Sequence, residues 1–191
     1  MYYAVISDLD RQVGRILRVL RETGQAENTI IIFTSDHGMS VGSHGLRGKQ
    51  NMYEHTVNVP LIVCGPGIPE NEKVHAQVYL RELFPTTCEL AGVEVPENVE
   101  GKSFAKVLTG EEEGVHEEVY CYFRDCQRMV RDDRWKLIYY PLIARYQLFD
   151  LREDPFEKED LAGSEEHGGT RERLKRKLEA WREAVGDPVE G

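Results

Sequence analysis

Between Asp36 and Lys49 the sequence gathers groups that bind cations and anions. Asp36 and His37 stand side by side, His44, Arg47 and Lys49 follow, and His55 lies a little further on. A carboxylate is a hard oxygen ligand and a neutral imidazole a nitrogen ligand, so the Asp36-His37 pair can hold a divalent cation or grip an oxyanion. Thirteen residues past Asp36, Lys49 adds a compact positive charge on a flexible stem, suited to a phosphate- or sulfate-like group. His44 and Arg47 can add a proton donor and an oxyanion clamp. Taken singly, an Asp-His pair is an ordinary loop cap and a lone lysine an ordinary solvated charge. Combined with Gly38, Gly42, Gly45 and Gly48 in one polar stretch too glycine-rich to be core, they point to an anion-binding, metal-assisted active site. Gly38 is expected to let the backbone turn sharply after the pair.

Two apolar runs bracket this loop. Thr29-Ile30-Ile31-Ile32-Phe33-Thr34 precedes it, and Val59 to Cys64 follows, closing in the turn Gly65-Pro66-Gly67. Each is apolar on both faces, the pattern of a buried strand covered by helices on either side. Ligands of open α/β sheets bind outside the carboxyl ends of strands, which is where Asp36 falls. Upstream, Ile6, Leu9, Val13, Ile16, Leu17 and Leu20 recur at helical steps, and Gly24 supplies a left-handed terminator. Downstream, Leu80, Leu83, Phe84, Thr87, Leu90 and Ala91 predict a sheet-covering helix over Val78 to Ala91, ended by Gly92. Ser103 is placed to cap a short helix holding Phe104, Val107 and Leu108 and stopped by Gly110.

The run Glu111-Glu112-Glu113 reads as a solvated junction, after which the pattern changes. VYCYF, RMV, WKLIYY and YQLFDL are short strand-like runs parted by turns at Asp132-Asp133 and Pro141, which predicts a small antiparallel sheet. Leu174, Leu178, Trp181 and Val185 form the stripe of a charged terminal helix docked on a sheet. The expected fold class is therefore α/β: a layered sheet with covering helices, then an antiparallel sheet and a terminal helix. The domain boundary falls near the acidic run, giving segments 1–114 and 115–191.

Bulk properties narrow the functions. A chain of 191 residues can bury roughly 70% of its unfolded surface, enough for a good core without staples. The formal charge of -10 argues against a nucleic-acid surface, so an anionic ligand must meet a local cationic patch. The apolar runs are too short to cross a bilayer. Cys64, Cys88, Cys121 and Cys126 lack CxxC spacing and identify no redox compartment. The opening MYYAVISDLDRQ has neither the basic region nor the apolar run of a signal peptide and starts almost inside a helix, as the middle of a longer chain would; no compartment is assigned.

The segment FTSDHGMSVGSHGLRGKQNMYEHTVNVPLIVCGPGI resembles the stretch that sulfatases, in the alkaline phosphatase superfamily, carry late in their main domain. YYAVISDLDRQVGRILRVLRETGQAENT resembles the helix before it, ELFPTTCELAGVEVPENVEGKSFAKVLTG the helix after it, and RMVRDDRWKLIYY with YQLFDLREDPFEKEDLA the C-terminal sheet. The resemblance implies that 1–114 is the C-terminal part of an alkaline-phosphatase-like catalytic domain and 115–191 a small subdomain. It implies that Asp36 and His37 ligate a divalent cation, calcium in sulfatases and zinc or manganese in related phosphodiesterases and phosphonate hydrolases. It implies that Lys49 contacts the sulfate, with lesser roles for His44 and Arg47, and that His55 is a structural hydrogen-bonding residue. The substrate implied is a sulfated small molecule or carbohydrate.

Sulfatases also carry, near their N-terminus, acidic metal ligands and a C/S-x-P-x-R motif whose Cys or Ser becomes the nucleophilic formylglycine. These residues contain neither. Cys64-Gly65-Pro66-Gly67-Ile68 has isoleucine in place of the arginine, and Asp132-Asp133 belongs to a turn. The expectation is a C-terminal portion, inactive alone, with apolar surface left uncovered and prone to self-association. The rival reading is a non-catalytic anion-binding remnant.

Overall fold

In a computed structural model, which describes residues 1–187, the opening helical spacing forms helix α1 (Tyr2–Glu22). Its end follows the expected chemistry: Gly24 adopts φ 69°, its N–H bonds Arg21 O, and the N–H of Gln25 bonds Leu20 O. The apolar face is another matter. Ile6, Leu9 and Ile16 are exposed, and α1 buries no residue.

The runs on either side of the loop become β1 (Ile31–Thr34) and β2 (Leu61–Cys64), paired antiparallel with Ile31 opposite Cys64. They are not the buried central strands that their composition predicts. Phe33 and Ile62 are exposed, because among the described residues each strand has one neighbour and no covering layer on both faces. The turn after Cys64 is as expected, with the N–H of Ile68 bonding Gly65 O at 3.1 Å. Residues 1–34 and 61–72 form one compact unit; residues 35–60 and 73 onward form the other.

The second unit is built on a four-stranded antiparallel meander. Its strands are β3 (Val119–Phe123), β4 (Gln127–Arg131), β5 (Trp135–Tyr140) and β6 (Arg145–Asp150), in sequence order. Side chains alternate between its faces. On one face Tyr120, Val130, Leu137, Tyr139 and Leu148 pack against Leu174, Leu178 and Trp181 of the terminal helix, Gly168–Ala184. Val185 lies past the helix end and is exposed. On the other face Met129, Ile138 and Phe149 pack against Met52, Tyr53 and Val57. Both faces are therefore covered, one by the terminal helix and the other by the segment following the polar loop. At the β4–β5 turn, Asp132 accepts from the N–H groups of Arg134 and Trp135, so it is structural as expected.

Between loop and meander come three short helices, α2 (Glu54–Val57), α3 (Leu83–Leu90) and α4 (Ala105–Leu108); the terminal helix is α5. The helix predicted over Val78 to Ala91 is shorter and turned over. Leu80 and Phe84 are exposed, and the buried side is Glu82, Pro85 and Thr86. Glu82 accepts from Tyr79 N at 2.9 Å and pairs with His116 at 2.6 Å, while Thr86 Oγ1 accepts from Phe104 N at 3.0 Å. Polar groups with all their partners supplied have replaced the expected apolar face. Ser103 Oγ accepts from Ala105 N at 3.1 Å, and Gly110 follows α4 with φ 79°. No helix of the described residues is long and apolar enough to cross a membrane.

Candidate anion and metal site

The loop from Ser35 to Tyr53 belongs wholly to the second unit. Its first part is tied to α2 at two points. The N–H of Gly38 donates to Thr56 O at 2.8 Å, and His55 Nε2 meets Ser40 Oγ at 2.9 Å. Ser40 is buried, and its hydroxyl donates to Gly48 O at 2.7 Å while accepting from Asn51 Nδ2 at 3.0 Å. The hydroxyl proton is thus committed, so His55 must donate from Nε2. Burial, then the electrostatic influence of His44 and Lys136, push the His55 pKa down, which favours its neutral form.

Gly38 serves differently from the expectation. It is no left-handed turn residue; a Cβ there would sit 1.9 Å from His55 O. Glycine is required because the chain after His37 runs flush against α2.

These ties set the pair beside its amine. His37 Nδ1 lies 3.0 Å from Gly38 O, and His37 Nε2 lies 2.5 Å from Lys49 Nζ and 3.2 Å from Asp36 Oδ2. An ammonium has only protons to give, so Nε2 accepts and Nδ1 carries the ring proton. The Lys49 ammonium takes the imidazole lone pair, and Asp36 Oδ2 lies beside the same nitrogen without itself forming an ion pair with Lys49. A slight desolvation opposes ionisation of Asp36, but the His37 backbone N–H at 2.9 Å and the Lys49 ammonium outweigh it and lower its pKa. The carboxylate is largely exposed, at 79%, open to a ligand.

A divalent cation fits these donors as two of its ligands. Calcium and manganese favour oxygen donors such as Asp36, and the imidazole nitrogen suits zinc; two donors complete none of these shells, so the remaining ligands must come from elsewhere. Among the described residues no group of three or more His, Cys, Asp or Glu gathers as a metal cluster.

The other predicted residues lie apart from this trio. His44, at φ 54°, stacks its ring on Tyr53 with centroids 3.8 Å apart, 5.4 Å from the His55 ring. Arg47 is exposed and has no hydrogen-bond or ion-pair partner among the described residues. Sequence reasoning missed Ser40, which carries no signal in a Gly- and Ser-rich loop. It also missed Lys136, whose signal was a charge inside a strand otherwise apolar on both faces.

The fold is that of the alkaline-phosphatase-like sulfatases. A protein solved in complex with its substrate D-glucosamine-2-N,6-O-disulfate superposes with a TM-score of 0.90 at 29% identity, over 99% of this chain and 41% of that one. The phosphonate monoester hydrolase of Agrobacterium radiobacter gives 0.82 at 28%, over 96% and 40%. Residues 42–184 match the family model described as N-sulphoglucosamine sulphohydrolase, C-terminal, and the chain belongs to the sulfatase family. Arylsulfatase K of Bos taurus is 35% identical over 175 residues, 84% of this chain. The chain spans 32% of that relative's length.

Proposed function

We propose that this chain supplies the metal-binding and sulfate-binding half of a sulfatase site, for hydrolysis of a sulfate ester on a small molecule or carbohydrate. Asp36 and His37 hold a divalent cation, calcium in this reading, and Lys49 contacts the tetrahedral anion. His44 and Arg47 are the further candidates for proton donor and oxyanion clamp. The observation that carries the reading is the convergence of a carboxylate, an imidazole and an ammonium, with His37 Nε2 3.2 Å from Asp36 and 2.5 Å from Lys49. When bound, the cation would neutralise charge on the ester oxygens. Lys49 would balance the charge that develops as the ester bond breaks, and the His37 ring, its proton kept on Nδ1 by Gly38 O, would present a lone pair throughout.

Residues 1–114 would form the last part of the catalytic α/β domain and 115–191 its C-terminal subdomain, with the formylglycine nucleophile supplied by a preceding portion. That 32% of the length of arylsulfatase K is covered, and that the matching family model is a C-terminal one, supports this arrangement. The isolated chain should then turn over no aryl sulfate. Turnover that disappears in Asp36→Ala would contradict the need for a nucleophile from a preceding portion.

A second reading, a phosphonate or phosphodiester hydrolase, is favoured by the nitrogen ligand His37 and by the likeness to the phosphonate monoester hydrolase. Zinc or manganese retained in preference to calcium would select it.

A further inference from the structure

Lys136 projects from β5 on the face that carries Ile138, and it is wholly buried, at 0% exposure. Its ammonium donates to Met52 O at 2.9 Å and pairs with Glu54 at 2.6 Å and Glu157 at 2.7 Å. One hydrogen bond to a backbone carbonyl and two close carboxylate contacts thus surround the ammonium. The other Glu157 oxygen accepts from Glu54 N at 2.6 Å, at the first residue of α2, and Arg131 on β4 pairs with Glu54 at 3.2 Å. Glu157 itself is held at φ 54°.

A buried ionic cluster is a poor device for stability alone, since taking its charges out of water costs about as much as their attraction returns. What it does provide is a fixed position. Met52 and Glu54 are anchored to the sheet; His55 and Thr56, next in the chain, hold Ser40 and Gly38; Ser40 holds Gly48. Gly38 and Gly48 are the immediate neighbours of His37 and Lys49.

We infer that Lys136 is a positioning residue: with Glu157 it clamps α2 to the C-terminal sheet and thereby sets the distance between His37 and Lys49. That these two are site residues rests on the function proposed above; the clamp itself does not.

The test is amide hydrogen exchange and ¹H–¹⁵N spectra of the full chain. Lys136→Met should raise exchange in residues 38–40, 48–49 and 52–56 by about tenfold or more, with β3 to β6 protected, as loss of a charged buried bond requires. Leu174→Ala, on the opposite face of the sheet, is the control: it lowers global stability and leaves the loop's chemical shifts in place. Should Lys136→Met fail to fold, Glu157→Gln, which keeps the acceptor for Glu54 N but removes a charge, should show the same regional effect more weakly. Loop exchange unchanged in either folded variant, or matched by Leu174→Ala, overturns the inference. Sulfate and Mn²⁺ titrations of the parent chain are read separately: if they leave Asp36, His37 and Lys49 unperturbed, the proposed function fails while the clamp stands or falls on its own exchange data.

Discussion

Replacing Gly38 by alanine tests how the loop is held. A Cβ at this position would lie 1.9 Å from His55 O and 2.9 Å from the carbonyl carbon, and both atoms are backbone, so no side chain can swing aside. The loop must back away from α2, giving up the 2.8 Å bond from Gly38 N to Thr56 O. Forced overpacking costs about 1–3 kcal/mol and a lost buried hydrogen bond about 0.5–1.5, so Gly38→Ala should destabilise the second unit by about 2–4 kcal/mol. The matched control is Gly48→Ala. A Cβ there meets nothing within 4 Å and its φ is not left-handed, so the change should stay within about 0.5 kcal/mol. Urea unfolding followed by tryptophan fluorescence gives both values, since Trp135 and Trp181 both lie in this unit. Equal stability of the two variants would refute the close-approach explanation, as would a Gly38→Ala protein whose Thr56 and Gly38 region is unshifted in ¹H–¹⁵N spectra.

Two further outcomes follow from charge and surface. Burial opposes ionisation of Glu54, yet Lys136 and then Arg131 outweigh it and depress its folded pKa, so its contribution is present above the unfolded value of 4.5 and lost as pH falls through the lower folded value. The stability gap between the parent chain and Glu54→Gln should accordingly be widest near neutral pH and narrow below pH 4.5; a gap that widens on acidification contradicts this. The exposed stripe Ile6, Leu9 and Ile16 on α1 should drive concentration-dependent association that Leu9→Glu with Ile16→Glu relieves, and sedimentation of a parent chain that stays monomeric at every concentration argues against it.

Where an element was bounded by local turn signals or one face was wet, the sequence was transparent. The strands of the meander follow the short apolar runs VYCYF and WKLIYY between their turns, Leu174 and Leu178 mark the docked face of α5, and Gly24 marks the end of α1. Asp36, His37 and Lys49 stood out because ionisable groups and glycines rarely crowd together without cause, and these three converge. What stayed hidden depended on distant partners. Glu82 and Thr86 look like surface residues until His116 and Phe104 N satisfy them. Lys136 becomes intelligible only beside Glu54 and Glu157. The runs at β1 and β2 read as buried because composition reports what a strand can bury, not what covers it.

The most direct test of the central claim, that Asp36, His37 and Lys49 form one cation- and anion-binding half-site, is paramagnetic broadening of the chain's ¹H–¹⁵N spectrum by Mn²⁺. Two protein ligands bind weakly, and broadening detects weak occupancy. The account predicts preferential loss of the amide signals of residues 35–38 and 49, reversed by excess calcium and abolished in Asp36→Ala. Broadening centred instead on the acidic run Glu111 to Glu113, or unchanged in Asp36→Ala, would contradict it.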